Sequence, residues 1–359
     1  MSAAGEEVLR ELAGQLPAVV EGLRFDAPPA ATLNRAVYID CRFEGVHWQR
    51  CRFEEVRFVN CRFEANRFER CVWRELGCAD SQFIDCVWDE CELERVGWQR
   101  VSASGAQWRG GRQRDFSCVE LDAADWRLSD VRSAHGSFVD CRLREWQLQG
   151  GRWSDSAWIR NQLDGFSVEG AELRNFIHGQ SRARRVALSA CRGLNARWID
   201  CELEHMALDH CELRQAAWSH SVWNGGAIRA SRLAGASFDQ ARLRRVQARE
   251  ADLEQALFDG ARLEDCAFEQ LSAPRLSLRQ ARLEQVNLSG ANLRGLDASG
   301  AALQSVKLSG CDCRGGRLIG QPRGAWSAAD TAGALFDDSK LEQDRAWRQQ
   351  AQPGPRGAA

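Results

Sequence analysis

The residues of this chain best suited to metal or nucleophilic chemistry are fifteen cysteines and six histidines. Thiolates and imidazoles hold zinc, and a thiolate activated by an imidazole attacks carbonyls. Either use requires side chains that converge on one point. The cysteines instead keep to a beat of five: Cys41, Cys51, Cys61, Cys71, Cys86 and Cys91 all open blocks of a five-residue step. Cut every five residues, Cys41 to Arg70 reads CRFEG VHWQR CRFEE VRFVN CRFEA NRFER. With the third residue of each block taken as its centre, centres run from 38 to 318 without a shift, which makes 57 blocks. Twelve cysteines fall two residues before a centre and three, Cys78, Cys118 and Cys313, are centres. They track packing slots, not ligand spacing, so neither a metal site nor a disulfide framework is read from them. Cysteine is small, apolar and often fully buried, which suits a narrow interior slot. So many free thiols fit a reducing, cytoplasmic compartment.

The remaining polar residues offer no better chemistry. His47, His135, His205, His210 and His220 occupy outward slots and His178 an inward one. Outward Ser, Asp and His form no triad, and the glycines, such as Gly290, Gly295 and Gly300, end blocks where a bend favours them. The chain is therefore read as non-enzymatic, with no metal and no cofactor. A net charge of -2 from 48 basic and 50 acidic residues argues against a simple polyanion binder and against direct nucleic-acid binding. No apolar run approaches the roughly 20 residues of a membrane span, and the acidic start MSAAGEEVLRELAGQL is unlike a secretory signal.

A period of five is divided neither by the helical 3.6 nor by the strand period of 2. It points to a short extended piece followed by a bend, with two inward positions per piece. If four pieces close one square turn, residues twenty apart stack about 4.8 Å apart in parallel ladders. Charge supports that number: Glu54, Arg74, Glu94, Arg114 and Arg144, Asp164, Arg184, Glu204 alternate in sign down their columns. Other columns, such as Arg42 above Arg62, do not. Aromatics obey the same rule. Of 14 tryptophans, twelve lie in the repeats and all twelve are inward, ten of them as centres. They fill a core, and their indole N–H groups are expected to find turn carbonyls. Large residues two before a centre go with small centres, as in Phe116 with Cys118, and Gly151 with Trp153 does the reverse. The swaps concentrate in residues 101–190, where the coil is expected to be least regular.

The blocks resemble the pentapeptide repeat family, whose loose consensus is A(D/N)LXX. ARLEQ VNLSG ANLRG from Ala281 to Gly295 shows the type, and the resemblance covers residues 36–321. It implies an all-β solenoid, a right-handed quadrilateral β-helix of about 14 coils with short helical caps. One departure is that the Asp/Asn slot before the centre is often arginine: Arg42, Arg52, Arg57, Arg62, Arg67. Residues 1–35 are read as an N-terminal helical cap (Glu6 to Leu16) and connector, and 322–359 as a C-terminal helix (Ser339 to Gln350) and disordered tail. The family itself lends no chemistry, because its members do unrelated things on one scaffold.

Binding is what remains. One outward column breaks the polar rule: Val59, Ala79, Gln99, Val119, Val139, Ile159, Gly179 and Ile199 stand twenty apart, beside Gly77, Gly97, Ser117, Ser137, Ala157 and Ile177. A contiguous apolar side marks an interface. Val119, Val139, Ile159, Ile177 and Ile199 are the candidate partner-binding residues, whether for another protein, for a second copy in a homodimer, or for a terminal segment of the chain. A basic cluster, Arg182, Arg184 and Arg185, is a second candidate, with solvated ladder pairing as the alternative. The resemblance extends to members of type VI secretion gene clusters, which implies an adaptor for effector or spike loading. It also extends to quinolone-resistance members, which implies a DNA mimic bound to a type II topoisomerase. Mimicry needs a continuous acidic stripe, and residues 41–100 hold ten arginines against twelve acids.

Overall fold

The computed structural model describes residues 17–337. The expected helices Glu6 to Leu16 and Ser339 to Gln350, and the C-terminal tail, lie outside the described residues. The contacts divide the chain into a unit ending at Glu202 and a unit beginning at Leu203. Each is a parallel β-solenoid with a twenty-residue turn, and together they hold about fourteen coils. The register is direct: Phe43 pairs Phe63, which pairs Phe83, and Leu243 pairs Leu263, which pairs Leu283. Four sides make a coil. Side A carries the centres Tyr38, Phe58, Cys78 and Trp98; side B carries Phe43, Phe63 and Phe83; side C carries Trp48, Phe68 and Trp88; side D carries Phe53, Trp73 and Leu93.

Both inward slots are buried as the sequence implies, and every cysteine is a free, buried thiol. In the first unit the interior is a set of aromatic columns. Phe43, Phe63 and Phe83 stack at 4.7 and 4.6 Å with rings within 8° of parallel, and Trp126 stacks on Trp146 at 4.7 Å. These spacings equal the coil repeat, so stacking and ladder hydrogen bonding reinforce one another. The indole expectation is corrected. Trp48 donates to Asn66 Oδ1 at 3.1 Å and Trp223 to the Gly225 carbonyl, but the N–H groups of Trp73, Trp88, Trp98 and Trp126 reach no oxygen. The corner carbonyls are already used by the ladder, and each of these rings packs against other rings.

Those carbonyls define a second task for the first slot of a block. The Cys61 thiol lies 3.3 Å from the Tyr38 carbonyl oxygen and 3.4 Å from that of Val59, and Cys71 lies 3.1 Å from that of Trp48. Where asparagine takes the slot it does the same: Asn66 donates to Phe43 and Glu64, and Asn161 to Phe138. Where the slot holds cysteine, serine or asparagine, its side chain also donates to these carbonyls.

Each bend is made by the fifth residue of a block in the left-handed region, whether glycine or not: Glu55, Ala65 and Arg70 have φ of 53°, 52° and 52°. Corners of the second unit are closed by a turn bond, as from Ala256 N–H to the Leu253 carbonyl. There the side chain of the second residue caps the turn, with Asp252, Asn287 and Asp297 accepting from the N–H two residues on, each at 3.0 Å. In the first unit the second to fourth residues form three-residue strands, such as Arg52–Glu54 and Arg62–Glu64. No turn N–H there needs an Asx oxygen, so arginine replaces Asp/Asn. Corners are drawn into eight-residue strands at Glu92–Gln99, Arg112–Val119, Arg142–Gln149, Gln162–Glu169 and Arg182–Ser189, and also at Glu202–Asp209, Val222–Arg229 and Arg242–Arg249. The irregular stretch is thus wider than the expected 101–190.

Pairing also begins earlier than residue 36. In place of a connector, Ala18–Glu21 pairs with Ala36–Ile39, Arg24–Phe25 with the strand of Phe43, and Thr32–Asn34 with Arg52–Glu54. An open ladder edge binds any extended segment that satisfies its backbone groups, with or without the consensus. At the other end, Asp330 and Leu335 bridge to Asp312 and Arg317 at a spacing of eighteen, around a short 3-10 turn, Arg323–Trp326, that buries Trp326.

Candidate interaction surface

Side A of the first unit brings the apolar column together in register. Val37, Arg57, Gly77, Gly97, Ser117, Ser137, Ala157 and Ile177 form one line and Ile39, Val59, Ala79, Gln99, Val119, Val139, Ile159 and Gly179 the next. Ile177 and Gly179 pair in turn with Arg197 and Ile199. All five candidate residues lie here. Val119 and Ile177 are 37% and 38% exposed; Val139, Ile159 and Ile199 are half-buried, as is Glu64 in the equivalent slot of side B. From Val59 to Ile199 the strip covers seven coil steps, about 34 Å.

The small residues have a direct effect. Gly77, Gly97 and Ser117 leave a shallow groove of about 420 Å³, lined also by Arg57, Val59, Ala79 and Val119. In the sequence Arg57 stands out only as a departure from the consensus, not as a residue of this surface. Its guanidinium donates to the carbonyls of Val56 at 3.2 Å and Glu75 at 2.6 Å, and its side chain lies over Gly77, where a Cβ would meet Arg57 Cδ at 2.9 Å. The signal was present as arginine stacked on glycine one coil later.

Ion pairs border the strip on both corners. Asp80 is bidentate to Arg100 at 2.6 and 2.8 Å, and Asp140 to Arg160 at 2.8 and 2.7 Å. On the opposite corner Arg95 binds Glu75 at 2.9 Å and Arg35 binds Glu55 at 3.2 Å. The guanidinium bonds hold the Asp80 and Asp140 carboxyls below their usual range. An apolar centre with a charged rim is the ordinary anatomy of a protein interface.

The basic cluster sits on side B and the next corner, engaged in pairing. Arg182 contacts Glu202 at 2.9 Å, and Arg185 contacts Glu145 at 2.7 Å and Asp164 at 2.8 Å. Arg184 shares their strand, Arg182–Ser189. His178 is buried beside Trp158, its Nε2 without a partner, and burial pushes its pKa down to about 4. Among the described residues no group of three or more His, Cys, Asp or Glu is placed to hold a metal ion, and no helix is long and apolar enough to cross a membrane.

No curated protein sequence matches. Among solved structures the chain is similar to QnrB1, a plasmid-mediated fluoroquinolone resistance protein, at 18% identity over 53% of this chain and 98% of that one, TM-score 0.27. It is similar also to HetL, a pentapeptide repeat protein involved in heterocyst differentiation regulation from the cyanobacterium Nostoc sp. strain PCC 7120, at 14% identity over 86% and 96%, TM-score 0.28. A third is a mannuronic acid specific polysaccharide family 6 lyase from human gut microbiota, at 9% identity over 92% and 94%, TM-score 0.31. At these scores none of the three bears on what the chain does. The family model for pentapeptide repeats matches eight copies, at residues 229–269 and 277–315. These are the blocks with Ala, Asp/Asn and Leu in the consensus slots, such as Ala251-Asp252-Leu253 and Ala291-Asn292-Leu293. The family model thus covers less than a quarter of the chain; these blocks, and the unbroken five-residue step before them, are similar to pentapeptide repeats, and the structure is a parallel β-solenoid of the kind that this similarity implies.

Proposed function

We propose that the chain is a non-catalytic scaffold that binds a protein partner along side A of its first unit. The observation that carries this reading is the in-register strip of Val119, Val139, Ile159, Ile177 and Ile199 with small residues beside it and paired charges at both margins. Two lines of side chains about 7 Å apart and 34 Å long offer roughly 240 Å². A standard interface covers about 800 Å² per partner. The partner therefore covers the flanking ladders too, and binding weakens with salt.

The resemblance to members of type VI secretion clusters favours a bacterial adaptor that loads an effector or spike protein. The fifteen free thiols favour a reducing cytoplasm. Mimicry of DNA is the weaker reading, because carboxylates such as Asp80 and Asp140 alternate with the arginines that pair them. Affinity capture from a bacterial lysate, read by mass spectrometry, tests the assignment. Recovery of a secreted effector or spike protein that is lost with a Val139→Asp, Ile177→Asp double variant supports it. Recovery of topoisomerase subunits reverses it, and light scattering that shows only a dimer broken by the same variant assigns the strip to self-association.

A further inference from the structure

The chain is electrically balanced as a whole, but one column of the second unit is not. On side B, Arg242 pairs in register with Arg262, and Arg262 with Arg282. All three are exposed. The column is bounded by Val222 before and Ala302 after, so it contains no carboxylate. Two other columns stack three arginines, and in both at least one arginine is held by a carboxylate. Arg24 and Arg62 of one contact Glu44 and Glu64; the other, Arg112, Arg132 and Arg152, runs between Glu92 and Glu172. Arg242, Arg262 and Arg282 have no ion-pair partner among the described residues. Like charges opposite one another on adjacent strands repel, so this arrangement needs a counter-charge.

The surroundings provide a place for one. The corner between sides A and B opens into a groove of about 620 Å³, lined by Gln240, Arg242, Asp259, Gly260, Arg262, Arg279 and Gln280. Gly260, at φ 65°, leaves the floor bare between the amides of Gln240 and Gln280 one coil to either side. The carboxylate in the groove is already satisfied: Asp259 accepts from Arg279 Nε at 2.8 Å, from its Nη2, and from the Ser277 hydroxyl. Nearby Glu264 is engaged by Arg244 at 3.7 Å, and Glu284 stands two residues beyond Arg282. Guanidinium groups and amide N–H donors around an open floor, with a net positive balance, are the chemistry of oxyanion recognition.

We propose that this groove binds a compact anion carrying two or more phosphates in line. The three residues are stacked at the coil repeat, about 4.8 Å per step, so their backbone positions span about 10 Å. A single phosphate satisfies at most two of them; an oligophosphate seated against Arg242 and Arg262 in the groove runs one coil further along the column to Arg282, which stands outside the groove lining. The site lies in the second unit and is independent of the surface assigned to a protein partner.

Isothermal titration calorimetry of the full chain with inorganic tripolyphosphate and with orthophosphate tests this. Tripolyphosphate is expected to bind saturably, to weaken as salt rises, and to bind more tightly than orthophosphate. Arg262→Gln is expected to lower its affinity by roughly tenfold or more. Arg100→Gln, which removes an arginine already paired with Asp80 in the first unit, is expected to leave it unchanged. Absence of saturable heat, equal loss in both variants, or equal affinity for orthophosphate overturns the proposal. So does binding of a single-stranded polynucleotide without binding of tripolyphosphate, which would make the column part of a nucleic-acid track instead.

Discussion

A methyl group added at Gly151 would lie 2.2 Å from the Val131 carbonyl oxygen, and φ there is 75°. From the sequence this glycine is a volume trade against Trp153; in the structure it is also a backbone requirement, as is Gly111 against Cys91. Gly151→Ala is expected to cost about 2 kcal/mol or more, read as a lower urea midpoint. His178 makes a second residue-scale prediction. Its pKa falls from 6.5 to about 4 because burial disfavours the imidazolium. Between these values the unfolded chain holds a proton that the folded chain does not. Stability contributed by the neutral ring is therefore present above pH 6.5 and is lost as pH falls toward 4, by about 3 kcal/mol in all. Unfolding midpoints measured across this window should flatten in His178→Leu. A slope that persists would assign the acid sensitivity to other groups.

At the scale of the strand, the third slot of a block faces inward and the fourth outward, so Val139→Asp places its charge in the half-exposed line while Phe138 stays in the core. Circular dichroism and melting should be nearly those of the parent, and complex formation through side A should be lost. Phe63→Asp puts the same charge between Phe43 and Phe83 and should abolish folding. The contrast was legible in the sequence, because a period of five with two apolar slots fixes which residues look inward. Other element-level features were not. The strand Ala18–Glu21 lies off the five-residue step, and only the hydrogen-bonding demand of an open edge recruits it; Thr32–Asn34 keeps the step, with Leu33 buried and paired to Phe53. The left-handed fifth residue was legible only where it is glycine; Glu55, Ala65 and Arg70 take that conformation because the neighbouring coils hold it. The groove beside Arg262 needs both the register and the bare Gly260 corner to be seen, and the whole-chain charge of -2 conceals it.

For the molecule as a whole, the fifteen cysteines report on folding. Burial pushes the Cys61, Cys86 and Cys313 thiols up to about 12 and those of Cys51, Cys141, Cys201 and Cys266 to about 11. A water-soluble disulfide reagent at pH 8 should label almost none in the native chain and all of them in denaturant. Rapid labelling of most thiols without denaturant would contradict the buried slots. Each coil also leans mainly on the coils next to it, through ladders that pair residues twenty apart, with Arg185 reaching two coils to Glu145. Such a chain has a quantised length. Excising residues 122–141 joins Leu121 to Arg142 with every later residue still above its proper kind of neighbour. Excising half as many would turn sides A and B onto C and D and misalign all that follows. Shortening or growth by whole turns is the one class of large edit that this architecture absorbs, and it offers a way to vary the reach of the binding strip without redesigning the core.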